Sequence, residues 1–354
     1  MVKPGSPTVL ADLTTFRVGG PVGSFEAVDS EADLIAAVQH ADAAGHPLLV
    51  LGGGSNLLVD DSGFDGVVVR DDRRGIDATD SSACAGASVT IPAGQPWDDV
   101  VQRAVESGWV GVEALSGIPG STGATPVQNV GAYGQQVSDV ISNVRVWDRA
   151  EGRVRTLAFG DLKFGYRTSR LKRSLAEFGP TPRYVVLDVT VQLRFGDLSA
   201  PIRYPELARR LGVAVGKRAP ASTVRQAVLE LRRGKGMVLD PADHDTWSAG
   251  SFFTNPVLSE ADAAGLPDDA PRYPAGDGAV KTSAAWLIER AGFGRGYGLP
   301  GPAALSTKHT LALTNRGGAG SAELLALART VRDGVRAAFG VELVPEPVLV
   351  GCSL

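Results

Sequence analysis

Leu48-Leu49-Val50-Leu51-Gly52-Gly53-Gly54-Ser55-Asn56 decides how this chain is read. Four apolar residues in a row, bounded by turn formers, read as a short buried strand. The strand runs directly into three consecutive glycines. Without Cβ atoms, successive N–H groups can point into one concavity and hold a phosphate. A plain strand turn would have the same sequence, so this loop alone leaves the two readings level. Upstream, Ser30 reads as the cap of a helix reaching about Ala44, with Leu34, Ile35, Val38 and Ala41 on one face. Gly45 and Pro47 end it, and Val67 to Arg70 reads as the next strand.

A second loop of the same kind follows. Ser116-Gly117-Ile118-Pro119-Gly120-Ser121-Thr122-Gly123-Ala124 opens an irregular stretch that continues to Gln136. An irregular segment of this length inside a compact region is usually functional. It contains Pro126, Gln128 and Asn129 and very little charge. Backbone amides, rather than Lys or Arg, would therefore hold an anion there. Two such loops favour a ligand with two phosphates, such as a dinucleotide. No G-x-x-x-x-G-K-[ST] occurs, which argues against a P-loop enzyme. One G-x-G-x-x-G occurs, at Gly296, Gly298 and Gly301, but it follows a helix ending near Ala291 and is crowded by Pro300 and Pro302. A dinucleotide fold of the Rossmann kind needs that motif after a strand, so it is disfavoured.

The remaining elements are mixed. Asp98 reads as the cap of a helix with Val100, Val101, Ala104 and Val105, closed by Gly108. Alternation from Tyr184 to Arg194 puts Val185, Leu187, Val189, Val191 and Leu193 on one face, the pattern of a half-buried strand in an antiparallel or mixed sheet. Ser222, Ser283 and Ser321 each begin a helical pattern, the last closed by Gly340. Strands and helices without a strict βαβ rhythm predict an α+β chain of several small domains.

Composition bounds the function. The 354 residues include 44 glycines, well above the usual level of about 7%. Lys and Arg number 35 against 39 Asp and Glu, for a net charge of −4, which excludes a strongly basic nucleic-acid binder. Cys84 and Cys352 are too few and too far apart for a disulfide scaffold or a Cys-rich zinc site. With His40, His46, His244 and His309 also scattered, no metal site is expected. No apolar run reaches the length of a membrane span, and Met1 to Gly20 shows no signal-peptide core, so a cytoplasmic protein is expected.

Three further places could carry chemistry. Tyr166-Arg167 sets a guanidinium beside an aromatic ring, a pairing that can hold a carboxylate bidentately; a surface arginine is the plain alternative. Ser248-Ala249-Gly250-Ser251-Phe252-Phe253-Thr254-Asn255-Pro256 places Ser251 among small and apolar residues; a capped turn is the alternative, since no G-x-S-x-G surrounds any serine. Glu346 sits between Pro345 and Pro347 in an apolar tail, as a candidate acid or as a solvent-facing carboxylate.

In order along the chain, Thr15-Phe16-Arg17-Val18-Gly19-Gly20, Leu51-Gly52-Gly53-Gly54-Ser55-Asn56-Leu57-Leu58, Ile118-Pro119-Gly120 through Pro126-Val127-Gln128-Asn129-Val130-Gly131-Ala132-Tyr133-Gly134, Tyr166-Arg167, Ala249 to Pro256 and Pro345-Glu346 resemble the UDP-N-acetylenolpyruvoylglucosamine reductase (MurB) family. The resemblance covers nearly the whole chain. It implies an α+β flavoprotein with a vanillyl-alcohol-oxidase/PCMH-like two-domain FAD-binding unit and a third, α+β substrate domain. The expected boundaries are 1–78 plus 345–354, 79–215, and 216–344. FAD, held non-covalently, would lie on Gly52, Gly53, Gly54, Ser55, Asn56 and Leu57, on Ser116, Gly117, Ile118, Pro119, Gly120, Gly123 and Ala124, and on Gln128, Asn129, Gly131, Ala132 and Tyr133. NADPH would be the co-substrate and an enolpyruvyl UDP-sugar the substrate. Ser251 matches the family's proton donor, and Arg167 and Glu346 match the residues that polarise the substrate carboxylate. Tyr166, Tyr204, Lys235, Asn255 and His309 fall at substrate-side positions, Tyr204 as the clamp that marks one subtype. The resemblance further implies a role in peptidoglycan precursor synthesis; a monomer is expected, with no nucleic-acid, membrane or metal partner. An alcohol or sugar oxidase of the same flavin fold is the alternative; its flavin is often tethered through His or Cys, and only His46 and Cys84 leave an opening for that. A flavin- or sugar-nucleotide-binding protein without catalysis is the third reading.

Overall fold

The computed structural model describes residues 8–82 and 86–354; Cys84 lies outside the described residues. The chain forms two compact units. Unit one takes in the described residues through Pro21, then Gly54–Phe64 and Lys235–Leu354; unit two takes in Val22–Gly53 and Asp65–Gly234. Both mix helix and strand, the α+β composition read from the sequence. The division runs through the first glycine loop, between Gly53 and Gly54. Two elements show how the chain is shared between the units. The helix Ala221–Gly234 belongs to unit two, where Val224, Ala227 and Val228 bury against Ala114, Ile202 and Leu207. Leu57–Val59 belongs to unit one, where it runs parallel to Val348–Val350 and Leu58 joins the core of Phe16, Phe252 and Leu287.

Unit two is built on an antiparallel sheet in the order Arg153–Ala158, Ile141–Asp148, Tyr184–Phe195, Gly86–Pro92, Asp77–Ser82, with Trp109–Val110 on the far end of Tyr184–Phe195. The alternation predicted from Tyr184 to Arg194 holds only near its end, where Val191 and Leu193 are buried and Gln192 and Arg194 exposed. From Tyr184 to Val189 both faces are buried. Val186 and Val189 pack with Trp97 and Val101 on one side, while Val185 and Leu187 pack with Leu34, Val38 and Leu48 on the other. The strand thus lies between two apolar clusters, and a burial pattern of period two cannot survive there.

The second cluster comes from a small sheet in which Leu48–Leu51 runs parallel to Phe64–Asp71, Leu48 opposite Val67. The helix Glu31–Ala44 covers it. Ser30 caps that helix as predicted, its Oγ accepting the Asp33 N–H at 3.0 Å, and Gly45 ends it in the left-handed conformation. The helix Trp97–Glu106 begins two residues earlier than predicted, with Pro96 at the cap, so Asp98 lies in its first turn and does not cap the helix. Ser222 likewise falls inside the first turn of Ala221–Gly234.

In unit one, Ser321–Phe339 buries Leu324, Leu325, Ala328, Val331 and Val335 against Phe252, Phe253 and Leu287. Its first turn is held by Asp61, whose carboxylate accepts the Ser321 N–H at 2.6 Å and the Ser321 hydroxyl at 3.0 Å. A carboxylate at a helix N-terminus satisfies free N–H groups and meets the positive end of the helix dipole. Among the described residues, no helix is long and apolar enough to cross a membrane.

Candidate active site

In unit two the two glycine loops press on each other. A Cβ on Gly53 would stand 2.6 Å from the Gly120 Cα, and one on Gly52 would stand 2.5 Å from the Ser121 Oγ. Two segments predicted to bind phosphate are therefore one structure, and the glycines are required by that approach. The second loop is pinned to the sheet behind it. Thr122 N–H donates to the Gln95 carbonyl at 2.8 Å, and Gly123 N–H to the Ala93 carbonyl at 2.9 Å. Gly123 has no room for a side chain, since a Cβ would meet Ala93 Cβ at 2.4 Å. Ser116 is buried and its hydroxyl donates to the Glu113 carbonyl at 2.7 Å. Ile118 packs against the sheet core, beside Pro119 and ahead of the short turn that holds Ala124.

Asp98 fixes Gly117. Its carboxylate accepts the Gly117 N–H at 2.6 Å and both Nη groups of Arg225, at 2.6 and 2.9 Å. Burial alone would raise the Asp98 pKa, but the Arg225 guanidinium and the Gly117 N–H outweigh it and hold the carboxyl below its ordinary value. The Gly117 carbonyl in turn accepts from Arg232 Nε at 3.2 Å. Burial pulls the Arg232 guanidinium down to about 10, while Tyr133 and Asp98 act to raise it. Sequence reading passed over Arg232, although Val224, Val228 and Arg232 fall at i, i+4 and i+8 of one helix. A cation on the apolar stripe of a helix was the available signal.

The rest of the long loop folds on itself. The Asn129 side chain donates to the Gly165 carbonyl at 3.1 Å and to Gln136 at 3.2 Å, and accepts the Ser138 N–H at 3.2 Å. Gln128 is half-buried beside it. Gly131 and Ala132 pair with Gln136 and Gln135. Arg167 reaches this turn and donates from Nη2 to the Gly131 carbonyl at 2.9 Å, from a backbone with φ of +51°. A left-handed arginine is held there by its surroundings rather than by preference. Its guanidinium carbon lies 5.9 Å from the centre of the Tyr166 ring. Tyr133 meets Tyr204 edge-on, ring centres 5.5 Å apart, and burial pushes the Tyr133 phenol up to about 12. Tyr204 itself is exposed and precedes the helix Pro205–Leu211.

Unit one carries the other residues. Gly54 has φ of +62°, and a Cβ there would meet the Leu13 carbonyl at 1.9 Å. Ser55, Asn56 and Leu57 lead from it into the strand that pairs with Val348–Val350. Ser251 is half-buried between Gly250, with φ of +72°, and the fully buried Phe252. Phe252 N–H donates to the Leu311 carbonyl at 2.7 Å, and the Phe252 carbonyl accepts the Glu346 N–H at 2.8 Å. Ser251 and Glu346 are thus brought together within one unit by backbone pairing, extended by the bridge between Phe253 and Pro345. Asn255 Oδ1 accepts the Ala284 N–H at 2.9 Å, at the start of the helix Ala284–Arg290. His309 is half-buried, with its N–H 3.3 Å from the Ser306 Oγ, and Lys235 is half-buried where unit one resumes.

Residues 25–158 match the model of the FAD binding domain family, and residues 240–350 match that of the UDP-N-acetylenolpyruvoylglucosamine reductase C-terminal domain. An α+β chain with two apposed, uncharged glycine loops in such a domain is a flavoprotein of the FAD-binding class. The chain is 54% identical over 352 residues to the UDP-N-acetylenolpyruvoylglucosamine reductase of Cutibacterium acnes, covering 99% of this chain and 91% of that one. It is 56% identical over 365 residues to the reductase of the same name from Saccharopolyspora erythraea, covering 99% and 97%. The crystal structure of the reductase from Thermus caldophilus shares the fold, with a TM-score of 0.66, 24% identity and 98% of each chain covered. The chain belongs to the UDP-N-acetylenolpyruvoylglucosamine reductase family.

Proposed function

We propose that the chain reduces the enolpyruvyl ether of UDP-N-acetylglucosamine to UDP-N-acetylmuramate with NADPH, a step of peptidoglycan precursor synthesis. The observation that carries this reading is 54% and 56% identity, over nearly the full length, to relatives named for that reduction. The glycine loops fit FAD: they are uncharged, rich in backbone N–H groups, and packed so that Gly53 admits no side chain. FAD, held by these loops, would supply hydride chemistry, with NADPH as the source of the hydride and C3 of the enolpyruvyl group as its acceptor.

Hydride addition at C3 leaves negative charge at C2 and on the adjoining carboxylate. Arg167 is assigned to that carboxylate, where a guanidinium gains most as charge grows. Glu346 shares the task and must be protonated or hydrogen-bonded to do so. The Ser251 hydroxyl gives its proton to C2 and completes the reduction. Tyr166, Tyr204, Lys235, Asn255 and His309 are assigned to the sugar nucleotide. Flavin binding falls to 1–78 with 345–354 and to 79–215, and substrate binding to 216–344. The protein is proposed to act as a cytoplasmic monomer, with no nucleic-acid or membrane partner.

An anaerobic absorbance experiment tests the reading. NADPH should bleach the flavin and the enolpyruvyl sugar nucleotide should restore its colour. Recolouring by oxygen alone would favour an alcohol or sugar oxidase, and a protein that takes up no FAD would remove both enzymatic readings.

A further inference from the structure

We infer that Thr15 is a positioning residue for Ser251, acting through the backbone carbonyl of Ser248; the inference rests on the reading of Ser251 as proton donor. Thr15 opens Thr15-Phe16-Arg17-Val18-Gly19-Gly20, a motif to which the proposed function gives no part. It is buried, with 6% of its surface exposed. Its hydroxyl donates to the Ser248 carbonyl at 2.6 Å, across 233 positions of sequence. Its backbone N–H donates to the Gly54 carbonyl at 3.1 Å. One residue therefore ties the third glycine of the first loop to the segment that carries Ser251.

The attachment lies three residues before Ser251. The Ser248 hydroxyl accepts the Gly250 N–H at 3.2 Å, which closes a small turn around a glycine with φ of +72°. On the other side of Ser251, Phe252 is fixed by its bond to Leu311 and by edge-on contact with Phe16, ring centres 6.3 Å apart. Thr15 and Phe16 thus grip the Ser251 segment before and behind the serine. A buried carbonyl deprived of its donor turns toward another. Turning Ser248 rotates the peptide that feeds Gly250 and Ser251, and a proton donor displaced by a fraction of an ångström loses efficiency.

Thr15→Val keeps the shape and the backbone N–H to Gly54 but removes the hydroxyl. The holoenzyme with FAD bound is reduced by NADPH and then mixed anaerobically with the enolpyruvyl sugar nucleotide. Reoxidation should slow about tenfold with a larger solvent deuterium isotope effect, while reduction by NADPH stays within about twofold. Thr15→Ser, which restores the donor, should recover most of the rate. Reoxidation of Thr15→Val at the parental rate, equal slowing of both half-reactions, or no recovery in Thr15→Ser would each overturn the inference. If Thr15→Val does not retain FAD, Thr15→Ala takes its place under the same criteria. A parent enzyme bleached by NADPH but not recoloured by the sugar nucleotide would instead remove the proposed function, and the inference with it.

Discussion

The Asn56 side-chain amide donates to the Glu346 backbone carbonyl at 3.4 Å, joining residues 290 positions apart. The Asn56 carbonyl also accepts the Val348 N–H at 3.0 Å. The end of the glycine loop and the segment carrying Glu346 are therefore one piece of backbone structure. Asn56→Ala should lower stability by about 1 kcal/mol, seen as a fall in the melting temperature of the flavin-loaded protein. It should also slow reoxidation by substrate more than reduction by NADPH, because Glu346 is assigned to the second half-reaction only.

Ser251→Ala separates the two half-reactions more sharply. Removing the proton donor should slow reoxidation by roughly 10²- to 10⁴-fold and leave bleaching by NADPH unchanged, as read by stopped-flow absorbance. Equal slowing of both would show that Ser251 serves the flavin site rather than the substrate.

Gly53→Ala has no space for its methyl group, which would lie 2.6 Å from the Gly120 Cα. Backbone must move on both loops, at a cost of about 1–3 kcal/mol, with loss of FAD measured by the absorbance ratio of flavin to protein. Gly160→Ala, where the added methyl meets nothing within 4 Å, is the control and should change stability by less than about 0.5 kcal/mol.

Asp98 predicts a dependence on pH. Its carboxyl is held below the ordinary carboxylate value in the fold, burial opposing and Arg225 and Gly117 prevailing. A lowered folded pKa contributes stability that is fully present above the unfolded value near 4, and is lost as pH falls through the folded value. Flavin occupancy of the parent should hold at neutral pH and fall below about pH 4. Asp98→Asn should already be weaker at pH 7 by about 1 kcal/mol, solvent screening of this partly exposed pair allowed for, and flatter in acid. Flavin fluorescence released on acid titration gives both curves.

Local chemistry was legible in the sequence, and long-range packing was not. Ser30, Ser283, Gly45 and Gly340 mark helix ends that the structure keeps, because a cap depends on residues within one turn. The two glycine loops were visible, but their mutual contact was not, since nothing near Gly53 encodes Gly120. The buried first half of Tyr184–Phe195 was misread for the same reason: its second covering layer comes from Leu34, Val38 and Leu48. Asp98 looked like a cap because acidic residues near a helix start usually are; only Gly117 and Arg225 show its other use. The roles given to Arg167, Ser251 and Glu346 came from ordered motifs, since no single motif separates Ser251 from any serine in a small-residue turn.

The pairing of Val348–Val350 with Leu57–Val59 has a consequence for the order in which the protein is made. Unit two is complete once Gly234 has been synthesised, so it can fold while translation continues. Unit one cannot. Leu57–Val59 waits for a partner almost three hundred residues downstream, and the backbone that fixes Phe252 waits for Glu346. A ribosome that stalls between those points releases a chain with a finished half and an open strand edge, the kind of surface that proteases and chaperones recognise. The proposed proton donor thus acquires its neighbours only in a chain that has been read through to its final strand.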